Sequence, residues 1–368
     1  MKILWIPHAT WLRKGRQRAQ YFIERLKEKH EIHILAWTEP KGPRARYFLN
    51  PIIHVRALND WTKEDNGIYI HHFRRFCLSR FNTIRKSNEF FFQKKIKKII
   101  KEHSIDMIIC GPNYYLNGFP PFNLNIPIIF DYSDYITNQK IKETYLAEAD
   151  AVICASHLLH NEAKKYNKNC FYIPNGIDLA RFKKTNPKRV KKKYDLEGQK
   201  VVSLIGITCS KSLYFLDAFP MIKKKIPDLK FLIVGNSYLL PEMERKAKKY
   251  VDDIIFTGWI DYNEIQDYFA ASDIGTYPVD KNIYFDSACP IKILEYTAAR
   301  KPVVSTNLRE LHNLNFPNVV FCNPNPADFS EKIIKALNTK FDFPDLKEYD
   351  WDVLTEKLEK IMNHLPKR

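Results

Sequence analysis

The sequence predicts two doubly wound α/β domains, and three observations carry that expectation. The chain has 368 residues, which suits two domains of roughly 180 residues, each large enough for its own core. Short apolar runs alternate with amphipathic stretches along most of its length, as strands and helices do in a parallel sheet. The pattern pauses at a turn-rich, charged stretch over 175–199 and restarts at Lys200.

The elements follow in order. Residues 2–6 read as a buried strand. A polar loop with Gly15 comes next, then a helix over 18–29 whose apolar positions are Tyr21, Phe22, Ile23 and Leu26, then a strand over 32–37. Residues 38–85 mix Pro, aromatic and basic residues without a clear period and yield no assignment. Helical spacing returns over 88–103, followed by strands at 106–110, 126–131, 151–155 and 171–173. The second block offers strands at 201–207, 230–234, 254–256, 274–277 and 303–305. Helices are expected at 213–225, 241–250, 262–271 and 291–299. The expected organisation is a first domain over 1–175, a linker over 176–199, and a second domain over 200–345. A C-terminal helix over 346–368 is expected to pack back towards the first domain. Ligands of open α/β sheets bind beyond the carboxyl ends of the strands, so two such domains facing each other would enclose a cleft.

Composition narrows the function classes. Hydrophobic residues make up 45% and charged residues 27%, which is globular and excludes an intrinsically disordered chain. The formal net charge is +17. Residues 1–180 hold 28 Lys and Arg against 17 Asp and Glu, the remainder 31 against 25, so the excess lies mainly in the first half. A basic surface points to an anionic partner: a phosphorylated substrate, an anionic membrane face or nucleic acid. The seven cysteines are odd in number, widely spaced and without a C-x-x-C pair, which excludes a disulfide scaffold and a zinc ribbon. Their use fits a reducing cytoplasm. The first apolar run is too short for a signal peptide, and no apolar run approaches bilayer-spanning length.

The segment most suggestive of chemistry runs from Asp286 through Ser287, Ala288, Cys289, Pro290, Ile291 and Lys292 to Glu295, then to a buried strand after Lys301-Pro302. Pro290 suits the first turn of a helix, whose free N–H groups receive phosphate oxygens. Lys292 and Glu295 are three apart and share a face; as an isolated pair they would be an ordinary surface contact. They are not isolated. The chain also carries Ile173-Pro174-Asn175-Gly176-Ile177-Asp178 with Phe182, then Phe231 to Gly235, Phe256-Thr257-Gly258-Trp259, Tyr268 to Ile274, and Tyr349-Asp350-Trp351-Asp352.

In this order and spacing the segments resemble retaining glycosyltransferase family 4. The resemblance is strongest over 149–306. It implies the GT-B fold: two Rossmann-like domains facing a central cleft, with the donor held mainly by the second. It also implies transfer of a sugar from a UDP- or GDP-sugar to a hydroxyl acceptor, a glycan or lipid-linked saccharide, with retention. No cofactor or metal is implied beyond the nucleotide sugar as co-substrate.

Position by position, the resemblance implies that Glu295 holds the ribose hydroxyls, as a two-oxygen acceptor suits a diol. Lys211, after the strand ending at Gly206, would contact the diphosphate. Lys292 would supply charge that the family usually draws from an arginine where this chain has Ile207. Backbone N–H groups near Ala288–Ile291 would receive phosphate oxygens. Gly258 and Trp259 fall where the family places its base, Gly235 ends the neighbouring strand, and Gly15 matches the glycine of the first-domain loop. The family often carries a further glutamate where this chain has Ser287; Asp286 stands beside it. Asp131 or Asp134 lies near the family's first-domain histidine, with a helix-capping aspartate before Tyr135 as the alternative. His160 and the pair His71-His72 show no ligand spacing and read as structural or surface. The lysines of 94–101 read as a solvated helix face, with a membrane contact as the sharper alternative.

Two further partners follow from the charge. The +11 of the first half, and above all Arg13, Lys14, Arg16 and Arg18 around Gly15, would draw a cytoplasmic enzyme to an anionic membrane face or bind an anionic acceptor. Nucleic acid is the weaker expectation, since no basic run is interleaved with aromatics. A nucleic-acid-modifying GT-B enzyme and a non-catalytic nucleotide-sugar binder are the alternatives.

Overall fold

The computed structural model describes residues 1–7, 16–38, 62–74, 82–112, 124–206 and 213–366. Gly15, Lys211, Arg13 and Lys14 lie outside them. The chain divides into two compact units: Met1–Pro174 with Leu354–Arg368, and Asn175–Val353.

The first unit holds β1 (Lys2–Ile6), α1 (Arg18–Leu26), β2 (Glu31–Thr38), β3 (Thr62–Asp65), β4 (Ile68–Arg74), α2 (Asn82–His103), β5 (Met107–Cys110) and β6 (Ile128–Tyr132). It continues with α3 (Gln139–Glu148), β7 (Ala151–Cys154), α4 (His157–Ala163) and β8 (Cys170–Tyr172). The sheet order is β3-β4-β2-β1-β5-β6-β7-β8, with every pairing parallel except the β3–β4 hairpin. That hairpin turns on Asn66 and Gly67, both at positive φ (54° and 78°), which is the two-residue turn that matches strand twist. It lies inside the stretch that yields no assignment from sequence, although Asn-Gly is the local signal for it.

Parallel strands are buried on both faces, so β5 and β7 are apolar throughout and wholly buried. Helix α1 turns Ala19, Tyr21, Phe22, Ile23 and Leu26 inward, with Phe22 6.0 Å from the Trp5 ring. Phe22, Ile23 and Leu26 each contribute about 1.5–3 kcal/mol on burial. Lys95 of α2 is buried too, unlike its neighbours Lys94, Lys97, Lys98 and Lys101 on the solvated face. His71 and His72 are both buried. Burial and the neighbouring His33 push the His71 imidazole down to about 3.

The second unit begins with α5 (Leu179–Phe182) and α6 (Pro187–Lys193), both within the segment expected as a linker. Then come β9 (Lys200–Ile205), α7 (Tyr214–Lys223), β10 (Leu229–Val234), α8 (Leu240–Ala247), β11 (Ile254–Phe256), α9 (Ile265–Ala271) and β12 (Ile274–Tyr277). The remainder is α10 (Ile283–Asp286), α11 (Ile291–Ala298), β13 (Val303–Thr306), α12 (Arg309–Leu314), β14 (Val319–Cys322) and α13 (Pro326–Leu337). The last helix, α14 (Trp351–His364), starts at the end of this unit and from Leu354 onward belongs to the first. All six strands are parallel, in the order β11-β10-β9-β12-β13-β14.

One contact fixes α11 against this sheet. A Cβ on Gly275 of β12 would stand 2.4 Å from the Tyr296 ring, so the glycine is the socket for that tyrosine. The Tyr296 hydroxyl then donates to the Ser203 carbonyl at 3.0 Å, and Phe269 packs edge-on at 4.7 Å. Among the described residues no helix is long and apolar enough to cross a membrane.

Candidate functional site

The site is built at the carboxyl ends of the second unit's strands, where ligands of open α/β sheets bind. Strands β9, β10 and β11 each run into a glycine at positive φ: Gly206 at 100°, Gly235 at 114° and Gly258 at 66°. The Gly206 N–H donates to the Val234 carbonyl at 2.8 Å, and the Gly235 N–H to the Gly258 carbonyl at 2.9 Å. A Cβ on Gly235 would lie 3.2 Å from the Gly206 carbonyl carbon. A Cβ on Gly206 would lie 2.8 Å from Lys292 Cε and 3.3 Å from its Nζ. The missing side chains therefore let the Lys292 ammonium lie across the strand ends, 5.7 Å from the Tyr277 ring.

Lys292 is the second residue of α11, whose N-cap is Pro290 in extended conformation. Proline is at the cap rather than in the first turn. Asn175 holds the preceding loop by donating to the Cys289 carbonyl at 2.7 Å. One turn on stands Glu295, held in place through its neighbour Tyr296. Burial pushes its carboxyl up to about 7, with Arg181 and Lys292 opposing that rise electrostatically. Arg181 spreads its guanidinium 3.5 Å from the Tyr262 ring centroid and donates to the Tyr262 carbonyl and to Gln266 Oε1, the latter at 2.9 Å. Sequence reasoning passed over Arg181, although it directly precedes the Phe182 singled out there. A half-buried carboxylate flanked by two cations, beside glycine-ended strands, can accept from a diol while the cations receive phosphate oxygens.

The remaining expected residues are placed as follows. Ile291 opens α11. Ser287 donates back to the Ile283 carbonyl at 2.6 Å, so its hydroxyl serves its own short helix. The Asp286 carboxylate accepts from the Arg309 N–H at 3.0 Å and lies 3.7 Å from the Arg309 guanidinium, which makes it an anchor for α12. The Ala288 N–H donates to the Phe285 carbonyl at 3.3 Å, and that donor is therefore turned into its own loop. Trp259 presents 44% of its surface to solvent beside Gly258.

In the first unit, Asp131 is buried in β6 and accepts from Arg18 Nε at 2.9 Å. Arg18 Nη1 and Nη2 reach the Pro174 and Ile173 carbonyls at 2.6 and 2.7 Å. Arg18 is thus an internal clamp, which removes it from the basic cluster expected at an anionic surface. Arg16 is held by Glu24. Asp134 follows β6, but neither it nor Asp131 caps a helix: the next helix starts at Gln139, and Asn138 Oδ1 caps it by accepting from the Ile141 N–H at 3.1 Å. His160 contacts the Cys170 carbonyl at 3.2 Å within the first unit.

Two family models match the chain, Glycosyltransferase Family 4 over residues 16–181 and Glycosyl transferases group 1 over 201–339. TuaH of Bacillus subtilis (strain 168), whose name places it in teichuronic acid biosynthesis as a glycosyltransferase, is 28% identical over 233 residues. That match spans 58% of this chain and 57% of the relative's own length. Among solved structures, Anabaena HepE in complex with UDP and glucose shares 14% identity at a TM-score of 0.67, covering 99% of this chain and 100% of that one. A UDP-forming trehalose-phosphate synthase from Burkholderia xenovorans shares 12% at a TM-score of 0.70, covering 99% of each. With glycosyltransferase family models matching in both units and this fold throughout, the chain has the two-domain GT-B architecture of glycosyltransferases.

Proposed function

We propose that the enzyme moves a sugar from a UDP- or GDP-sugar to a hydroxyl of a glycan or lipid-linked saccharide, with retention at the anomeric carbon. The observation that carries this is the cradle of Gly206, Lys292 and Glu295 at the strand ends. Glu295 accepts the ribose hydroxyls, and Lys292 faces the diphosphate with Lys211. The anomeric C–O bond breaks with its electron pair leaving on the diphosphate, and the acceptor oxygen takes its place. The acceptor proton passes to the departing phosphate. Fixed cations aimed at that growing charge stabilise the transition state. Relatives such as TuaH and HepE, by their names, support a nucleotide donor and a polysaccharide setting. A thermal-shift screen of nucleotide sugars tests the donor: a true donor at 100 times its Kd stabilises by about 2.7 kcal/mol. The anomeric coupling in the NMR spectrum of the product tests retention; inversion would reject it.

The acceptor side of the proposal includes contact with an anionic membrane. Helix α2 carries exposed Phe90 (63%) and Phe91 (44%), followed on its solvent face by Lys94, Lys97, Lys98 and Lys101. Exposed aromatics beside a lysine stripe favour a lipid surface, at about 1 kcal/mol per Lys near anionic headgroups. Co-sedimentation should require anionic vesicles, fade with salt and weaken in a Phe90→Ser, Phe91→Ser variant. Equal recovery in the supernatant with neutral and anionic vesicles at low salt would sink it.

A further inference from the structure

We propose that His33, His71 and His103 form a binding site for one divalent transition metal ion of the zinc type, separate from the donor site. The fold brings the three together from β2, β4 and the last residue of α2. In the parallel pairing of β2 and β4, His33 sits opposite Tyr69 and Leu35 opposite His71, so the two histidines are two positions apart on one face. The end of α2 lays His103 over that face, its ring 4.6 Å from His33 and 4.9 Å from His71. His33 Nδ1 and His71 Nε2 are 2.9 Å apart. The ligand nitrogens of all three rings lie within 4.8 Å of one another, with His33 and His71 buried and His103 half-buried.

The chemistry of the donor set selects the ion. A neutral imidazole has one lone-pair nitrogen. The Glu31 carboxylate lies 2.8 Å from His33 Nε2 and accepts its proton there, which leaves the Nδ1 lone pair turned towards the cluster. A carboxylate behind a ligating histidine is the usual outer support of a metal site. Tetrahedral zinc holds nitrogens at about 2.0–2.1 Å, hence about 3.3 Å from each other. The spacings here bracket that value, so small ring rotations close the site. Three imidazoles suit zinc, copper or nickel and not calcium or magnesium, which take oxygen ligands. Two cationic groups lie close by. Lys2 is engaged by Glu31 at 3.3 Å, whereas the buried Lys95 acts electrostatically on His71 and opposes an incoming cation. The cluster stands away from the carboxyl ends of the strands, so the ion would tie the end of α2 to the sheet rather than meet substrate.

The test uses the full chain, free of affinity tags and stripped with EDTA. Titration with zinc chloride should give one ion per chain and a melting temperature that rises with zinc concentration. Cobalt chloride should give the strong visible bands of a four-coordinate nitrogen site. His71→Ala and His103→Ala should abolish both signals, Glu31→Gln should weaken zinc by about 10–100-fold, and Lys95→Met should tighten it. His103→Gln, milder at the half-buried helix end, guards against loss of fold. Absence of stoichiometric zinc binding by the parent chain would overturn the proposal, leaving the trio as a hydrogen-bonded core contact. Zinc binding unchanged in all three histidine variants would overturn it equally.

Discussion

Glu295→Gln separates what the donor site needs from what the fold prefers. The wild-type carboxyl has a folded pKa of about 7 against an ordinary 4.5. Below pH 4.5 both folded and unfolded chains hold the proton, and the residue is neutral in its effect. Between 4.5 and 7 the unfolded chain releases the proton while the folded chain retains it, so stability falls as pH rises. Above 7 the loss is complete, at 1.36 kcal/mol per pKa unit about 3 kcal/mol. Glutamine carries no charge to desolvate and escapes this loss. The variant should therefore melt higher than wild type at pH 8 by about 6–12 °C relative to their difference at pH 4, given about 2–4 °C per kcal/mol at this domain size. The same substitution removes the charged acceptor proposed for the ribose, which should weaken the donor by about 1.5–3 kcal/mol, roughly 10–150-fold. Calorimetric scans at pH 4, 6 and 8 measure the first effect, and titration with UDP and GDP the second. A stability difference that does not change with pH would refute the burial argument. Unchanged nucleotide affinity would refute the ribose assignment.

Three more outcomes follow from the same geometry. Gly206→Ala forces a Cβ to within 2.8 Å of Lys292 Cε at a φ of 100°, and should cost about 1–3 kcal/mol in urea unfolding while raising the donor KM; wild-type values of both would contradict the close approach. Lys292→Met should lower turnover by about 10²–10³-fold, more than it weakens nucleoside monophosphate binding, and equal losses in the two would mean that its charge acts on the ground state. Arg18→Met leaves the buried Asp131 without its guanidinium and should destabilise the first unit by about 3–5 kcal/mol, read by chemical denaturation; recovery in the Arg18→Met, Asp131→Leu double variant would confirm the pair, and a neutral single variant would dismiss it.

The fold was legible where strands are buried on both faces, because burial leaves continuous apolar runs such as Met107-Ile108-Ile109-Cys110. It was less legible at the margins. Val319–Cys322 and Pro326–Leu337 went unassigned despite Asn325, which caps the helix, and the proline at its start. The residues of the proposed donor cradle stand out in the sequence for a local reason: Lys292 and Glu295 are a helical turn apart, and glycines mark the strand ends. The structural partner of Asp131 was hidden for the opposite reason. That partner, Arg18, lies 113 residues away, and no local pattern announces a contact at that distance. The three histidines share that obstacle, since only strand order and the end of a long helix bring them together.

The first unit is interrupted in the chain by the whole of the second. That arrangement sets an order on biosynthesis. As the polypeptide leaves the ribosome, residues 1–174 appear first, yet they lack the closing helix whose Glu359 meets Lys29 at 2.8 Å and His30 at 3.1 Å. The second unit has all of its own chain once residue 353 has emerged, so the nascent protein completes its later half before its earlier one.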